Sequence, residues 1–265
     1  MQDDYSFFKT AILRQTGIDL SAYKERQMKR RLETLYKQHH FYSFRSFFQR
    51  GLQNDPALWQ AFFDKMTINV SEFYRNKKRW ERFEFDILPQ LLETRGKLQL
   101  WSAACSSGEE AYTAAMITSK YRALTDVSIL ATDIDREALQ RAKAGRYQEK
   151  SVREVVPAER KRCFDEEGNH YRVKPMFRDT IRFKRHNLLA DPYPREQDLI
   201  ICRNALIYFT NAAKEQIYHR LNQSLKSGGF LFVGSTEQLF SPETYGFEHV
   251  GNFFYRKRHS SSRLW

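Results

Sequence analysis

The stretch that most constrains this chain is Lys97 to Met116, KLQLWSAACSSGEEAYTAAM. It reads as a strand, a tight loop of small residues and a helix. Leu98, Leu100 and Trp101 give the strand its apolar side chains. Ala103-Ala104-Cys105-Ser106-Ser107-Gly108 then carries almost no bulk, and Glu109-Glu110 opens an apolar helix with Ala114, Ala115, Met116 and Ile117. A strand–loop–helix unit of this kind belongs to open α/β sheets, which bind nucleotide-like ligands at such loops. Two carboxylates at a helix start also suit the helix dipole, so the pattern alone describes many helix N-termini. The loop has one Gly and no Lys, so it is neither GxGxxG nor a P-loop. Its carboxylates would repel a pyrophosphate and favour a ligand with a cationic end.

A chain of 265 residues holds one large domain or two smaller ones. Its 44 Lys and Arg against 32 Asp and Glu give a charge of +12, which suits an acidic partner, although many proteins are this basic without one. Cys105, Cys163 and Cys202 lack metal-ligand spacing and leave an odd thiol, which fits a reducing cytoplasm. The start, MQDDYSFFKT, is acidic and does not read as a signal peptide. No run approaches the ~20 apolar residues of a membrane span.

Residues 5 to 66 read as helices. Tyr5, Phe8, Ile12 and Leu13 follow helical spacing up to a stop at Gly17. A helix from about Ser21 to His40 carries Lys24, Arg26, Lys29, Arg30, Arg31 and Lys37 against Glu25 and Glu33. It is either the solvated face of a small bundle or a docking face for an acidic partner. Helices around Phe44–Leu52 and Pro56–Met66 follow. The segment Thr67 to Asn76 links this helical part to the α/β part, and ligands favour such junctions. Ser71 there could simply cap the next helix. Pro89 is expected to kink or end the helix near Lys78–Leu92.

Val127–Thr132 reads as a second strand ending in Asp133-Ile134-Asp135. An acidic residue about 20–25 residues past the small loop is placed to bind ribose hydroxyls, so Asp133 is assigned to ribose and Asp135 to capping the next helix. Short alternating runs at Tyr171–Val173 and Thr180–Arg185 look like a small inserted β-hairpin in a basic region. Asp198–Cys202 is an apolar strand that runs into Arg203-Asn204-Ala205-Leu206-Ile207-Tyr208-Phe209. Asn204 and Tyr208 are therefore candidates at a strand's carboxyl end, though Tyr208 could equally be a core aromatic. Phe230–Gly234 and a strand near Asn252–Arg256 suggest an antiparallel finish to a parallel sheet.

Six stretches, MTINVSEFYRN, LWSAACSSGEEAYTAAM, ILATDIDREALQRAKAGRYQ, NLL at 187–189, LIICRNALIYFT and GGFLFVGSTEQL, resemble the bacterial chemotaxis receptor methyltransferases of the CheR type in content and order. They spread from residue 66 to 239. The resemblance implies a class I S-adenosylmethionine-dependent methyltransferase domain, Rossmann-like α/β, with a small inserted β-subdomain and an all-helical N-terminal domain. On this reading residues 1–76 dock the receptor, 77–265 carry the transferase, and the insert spans about 150–186. The resemblance further implies S-adenosylmethionine as donor, S-adenosylhomocysteine as product and glutamate γ-carboxylates on chemoreceptor cytoplasmic helices as acceptors. By similarity Asn69, Ser71 and Arg75 contact the cofactor or transfer site. Glu110 is the loop carboxylate that touches the ligand, Asp133 binds ribose, Asn187 and Leu188 flank the adenine, and Asn204 with Ala205 line the methionine side. Arg75 and Tyr208 are the catalytic pair. The family often has Thr at the position of Ser71, and the hydroxyl is kept. Members whose β-subdomain binds a receptor's C-terminal tether have extra glycines in the hairpin. Glu166-Glu167-Gly168-Asn169-His170 has one, which argues against a tether here.

The acceptor glutamate is already ionised near neutral pH, with a free pKa of about 4.3, so the reaction needs no general base and no metal. The enzyme's task is approach and alignment. Two other readings are open to a basic, aromatic-rich chain. An RNA methyltransferase would place an Asn/Asp-Pro-Pro-aromatic motif after the fourth strand, where this chain has Cys202-Arg203-Asn204-Ala205. A cofactor-sensing adaptor without turnover would have lost Arg75 or Tyr208. The expected protein is a cytoplasmic enzyme with chemoreceptors as partners, no nucleic acid, no membrane insertion and nothing that demands more than a monomer.

Overall fold

The computed structural model describes residues 3–67, 71–93 and 95–259. Its N-terminal part contains helices Asp4–Thr16, Glu25–Gln38 and Pro56–Met66, and a helical segment Phe44–Leu52 that becomes π-helical from Phe47. Each boundary has a local cause. Gly17 ends the first helix in a left-handed conformation (φ 74°), with its N–H donating to the Leu13 carbonyl. Asp55 caps the Pro56 helix by accepting from Ala57 N, and proline occupies the first turn, where its missing N–H costs nothing. Asp4 reaches across the bundle to accept from Phe44 N and Arg45 N at 2.8 and 2.9 Å, tying two helix starts together. Phe8, fully buried, packs against the rings of Phe44, Phe47 and Phe62. The basic helix starts at Glu25, later than the sequence suggests, because Leu20–Ala22 forms a separate 3-10 turn capped by Asp19.

Lys77–Leu92 is helical throughout but changes register, with a π-helical turn over Phe83–Ile87 just before Pro89. Proline offers no N–H to the preceding turn, and the wider turn absorbs that loss. Ser71 is not the cap of this helix. The helix begins six residues later, behind Asn76, which sits in the left-handed region (φ 61°).

Among the described residues ten strands follow: β1 Leu98–Ala103, β2 Val127–Asp133, β3 Arg146–Gln148, β4 Phe164–Glu167, β5 His170–Val173, β6 Ile181–Arg185, β7 Gln197–Cys202, β8 Leu225–Val233, β9 Phe247–Gly251 and β10 Phe254–Lys257. Seven of them form one sheet in the order β6-β2-β1-β7-β8-β10-β9. β6 through β8 run parallel, and β10 pairs antiparallel with both β8 and β9. The antiparallel finish is as expected, with β9 as an additional edge strand. The inserted hairpin differs from expectation. Residues 171–173 and 180–185 do not pair with each other. β5 pairs with β3 and β4 in a separate three-stranded sheet, whereas β6 lies parallel to β2 at the edge of the main sheet. The alternation of Ile181-Arg182-Phe183-Lys184 reflects an edge strand with one solvated face, a pattern that a hairpin strand shares.

From β1 the chain winds outward through β2 to β6 and then returns to β7 on the other side of β1. The winding direction reverses between β1 and β7, and a crevice opens at their carboxyl ends. The helical N-terminal part covers one face of this sheet. Phe8, Leu32 and Phe62 belong to the same apolar cluster as Trp101, Ile200 and Leu231. Main-chain bonds also cross the junction, from Lys24 N to the Tyr208 carbonyl (2.7 Å) and from Thr210 N to the Ala22 carbonyl (2.8 Å). The helices therefore form one wall of the crevice.

Candidate active site

The loop after β1 is built from left-handed residues. Ala104 (φ 62°), Ser106 (φ 49°) and Gly108 (φ 93°) alternate with ordinary ones. Non-glycine residues in this region carry a conformational cost that surrounding bonds must offset. Those bonds are present: Cys105 N donates to the Thr132 carbonyl at 2.8 Å, Ser106 N to Asp133 Oδ2 at 2.8 Å, and the Tyr147 hydroxyl to the Ser107 carbonyl at 2.6 Å. At Gly108 any side chain would meet Ala142 Cβ at 2.9 Å and the Phe183 ring, so the helix can approach only with glycine there.

Two adjoining hollows share Ala104, Ser106 and Asn204 as their common floor. The larger is mostly apolar and is lined by Asp133, Asn187, Leu188, Ala205 and Tyr208, with Tyr23 and Met66 from the helical part. The smaller is polar and contains Ser71, Arg75, Glu110 and Arg203. Every described residue expected at the site lines one hollow or the other. Asn69 lies outside the described residues.

Asp133 is buried, with Oδ2 taken by Ser106 N and Oδ1 by Asp135 N at 3.0 Å. Burial raises its carboxyl to about 6 against those stabilising bonds. Asp135 caps the helix Arg136–Ala144 by accepting from Glu137 N and Ala138 N, as the sequence suggests, and Asp133 is left lining the larger hollow. Glu110 accepts from the Ser102 hydroxyl at 3.0 Å and pairs with Arg203 Nη1 at 3.5 Å. Burial still pushes its carboxyl up to about 7, with Arg203 opposing. Glu109 turns inward instead. Its carboxylate takes the Ser107 hydroxyl at 2.8 and 3.0 Å and a further bond from Ser71, and it lines neither hollow.

Asn187 has spent its side chain on the protein. Its Nδ2 donates to the Gly17 carbonyl (3.2 Å) and its Oδ1 accepts from Leu189 N (2.9 Å). Tyr208 is half-buried, with its carbonyl held by Lys24 N and its ring beneath the Arg31 guanidinium at 4.8 Å. Asn204 is left-handed (φ 58°) and depends on Glu237. That carboxylate is fully buried and accepts from Asn204 N at 2.9 Å and Leu206 N at 3.1 Å.

Arg203, Glu237, Tyr23 and His186 were not singled out from the sequence. Arg203 had a signal, a lone cation at the end of an apolar strand. Glu237 sits in a polar loop like many others. Tyr23 reaches the site only because the helical part folds over it. His186 lines the larger hollow, packed against Trp101 and Tyr193, with Nε2 toward the Pro192 carbonyl. Among the described residues no group of His, Cys, Asp and Glu is placed to hold a metal, and no helix is long and apolar enough to cross a membrane.

This arrangement suits a nucleoside with a cationic tail. The larger hollow offers apolar walls beside a carboxylate that can accept from a diol. The smaller offers a carboxylate for a cationic end and Arg75 for an anionic one. The loop between them has too little bulk to block close approach. Comparison with known proteins agrees. Residues 69–253 match the family described as CheR methyltransferase, SAM binding domain, and residues 3–67 match the family described as CheR methyltransferase, all-alpha domain. A chemotaxis protein methyltransferase of Listeria monocytogenes is 45% identical over 97% of this chain and 98% of its own length. Chemotaxis protein methyltransferase 1 of Pseudomonas aeruginosa is 34% identical over 89% of this chain and 90% of its own. The cofactor is S-adenosylmethionine, the fold is that of the class I methyltransferases preceded by an all-helical domain, and the chain belongs to the CheR methyltransferase family.

Proposed function

We propose that this protein methylates γ-carboxylates of glutamates on the cytoplasmic helices of chemoreceptors, working in the cytoplasm. The observation that carries the reading is the placing of Arg75 and Tyr208. Arg75 lines the smaller hollow and Tyr208 the larger, and the two hollows share Ala104, Ser106 and Asn204. A cation and a phenol on adjoining hollows suit an anionic oxygen acceptor. An ionised carboxylate needs no base to activate it.

When bound, S-adenosylmethionine supplies an electrophilic methyl carbon, from which the acceptor oxygen displaces the thioether S-adenosylhomocysteine. The rest is positioning by the chain. Asp133 would hold the ribose, Glu110 the ammonium, and Ser71 and Arg75 the methionine end, with Asn204 and Ala205 lining that side. Leu188 would flank the adenine. Asn187 serves it by placing the backbone, since its amide is committed to Gly17 and Leu189. Arg75 orients the acceptor without fully neutralising it, which would blunt its nucleophilicity.

Residues 1–76 act as the docking part and 77–265 as the transferase. The basic helix is the steering face, through Lys24, Arg26 and Arg30, which are exposed. Arg31 is committed elsewhere, with Nε donating to the Lys65 carbonyl at 2.8 Å and its guanidinium over Tyr208. Cationic side chains on one helix would guide and register an acidic helical bundle.

The test offers radiolabelled S-adenosylmethionine with a receptor cytoplasmic fragment and total RNA in parallel. Base-labile label on the receptor alone supports a glutamyl ester. Label on RNA, or cofactor binding with no transfer, overturns the reading.

A further inference from the structure

Arg203 is the most deeply enclosed cation of the site. It follows directly after β7, is 5% exposed, and its guanidinium lies 4.7 Å from the ring centre of Phe232 and 5.4 Å from that of Trp80. The two ends of its fork do different things. Nη2 donates to the Arg75 carbonyl at 2.9 Å and to Asn76 Oδ1 at 3.1 Å, and Nη1 pairs with Glu110 Oε2 at 3.5 Å. The turn that it grips is an awkward one, since Tyr74 (φ 56°) and Asn76 (φ 61°) both lie in the left-handed region. Such a turn persists only where its surroundings hold it.

We propose that Arg203 is a positioning residue for methyl transfer with two separable actions: its fork fixes the Arg75–Asn76 turn, and its charge pairs with the Glu110 carboxylate that faces the cofactor's cationic end. The proposal rests on the functional reading above for the placement of Arg75 and Glu110 around the cofactor. The neighbouring rings explain the choice of arginine. A planar guanidinium rests against Phe232 and Trp80, which meet each other edge to face, and still presents several N–H groups in fixed directions, which an ammonium cannot do. Glu110 is faced by the Ser102 hydroxyl from β1, by Arg75 and by the like charge of Glu237. Arg203 itself faces Arg75, Arg79 and Glu237 as well as Glu110. Without Arg203, the largely enclosed Glu110 keeps Ser102 and the more exposed Arg75 as its compensation.

The experiment measures S-adenosylmethionine binding by calorimetry from pH 5.5 to 8.5, and methyl transfer to a receptor fragment, on the full chain. Arg203→Gln removes the charge, and the midpoint of the affinity–pH profile is expected to move up by about one pH unit or more. Arg203→Lys keeps charge and loses the fork, so the midpoint stays where it is while kcat falls about 10-fold or more. Should Arg203→Gln fail to fold, Asn76→Gly serves. It keeps Arg203 and tolerates the left-handed backbone but removes one acceptor, and a lower kcat at an unchanged midpoint is expected. Wild-type profiles for Arg203→Gln, or a wild-type kcat for both Arg203→Lys and Asn76→Gly, overturn the proposal. A wild-type protein that binds no S-adenosylmethionine or methylates no receptor fails the functional reading instead, so the two failures are told apart.

Discussion

The guanidinium of Arg31 lies 4.8 Å over the ring of Tyr208, so a side chain of the basic helix reaches the wall of the reaction cleft. Its neighbour Arg30 is exposed. The two arginines therefore part company. Arg30→Glu is expected to raise the receptor KM several-fold, more at low than at high ionic strength, with cofactor affinity unchanged. Arg31→Ala is expected to lower kcat, because Tyr208 loses the cation on its ring and Lys65 its partner. Steady-state kinetics against receptor fragment at two salt concentrations separate these effects.

Arg75 and Tyr208 act on alignment. With saturating cofactor and receptor, Arg75→Ala is expected to lose about 100-fold in turnover, the scale on which small misplacements count. Tyr208→Phe removes one hydrogen-bonding group and is expected to lose roughly 5–10-fold. Normal turnover in Arg75→Ala under those conditions removes it from the mechanism.

Two carboxylates set the pH response, Asp133 buried and Glu110 largely enclosed. Glu110 is raised from 4.5 to about 7 and Asp133 from 3.8 to about 6, in both cases chiefly by burial. Since each binds a proton more tightly folded than unfolded, the free protein should lose stability as pH rises through that window, from about 4 to about 7. Cofactor affinity should move the other way. A cationic end and a ribose diol both prefer ionised partners, so affinity rises with pH up to about 7 and then levels. Below that pH, binding should release protons, which calorimetry in buffers of different ionisation enthalpy detects.

Gly234 tests the support beneath Asn204. A Cβ there would press on Glu237 Oε2 and lie 2.9 Å from Asn204 N. Glu237 cannot retreat without leaving two backbone N–H groups unpaired. Gly234→Ala is expected to cost about 1–3 kcal/mol in urea unfolding and to weaken cofactor binding, although residue 234 lines neither hollow.

Much of this was legible in the chain. The strand–loop–helix at 97–116, the acidic end of β2 and the Cys202–Phe209 run all speak through local pattern, and all meet at the crevice between β1 and β7. What was hidden depended on tertiary contact. Nothing local distinguishes Glu109 from Glu110; one turns in to the Ser107 hydroxyl and the other faces the cleft. Residues 180–185 alternate like a hairpin strand, and only the partner, β2, makes them part of the main sheet. Glu237 gained its role from the bond to Asn204, 33 residues away. Arg31 looked like one more surface charge until Tyr208 folded beneath it.

The most direct test of the account is peptide mapping by mass spectrometry of a receptor cytoplasmic fragment after incubation with this protein and S-adenosylmethionine, beside the Arg75→Ala variant. One methyl group's mass is expected on glutamate side chains, lost on mild base, and far less of it with the variant. Methylation found on lysine, on backbone termini or nowhere in the receptor, or equal in both proteins, would contradict it.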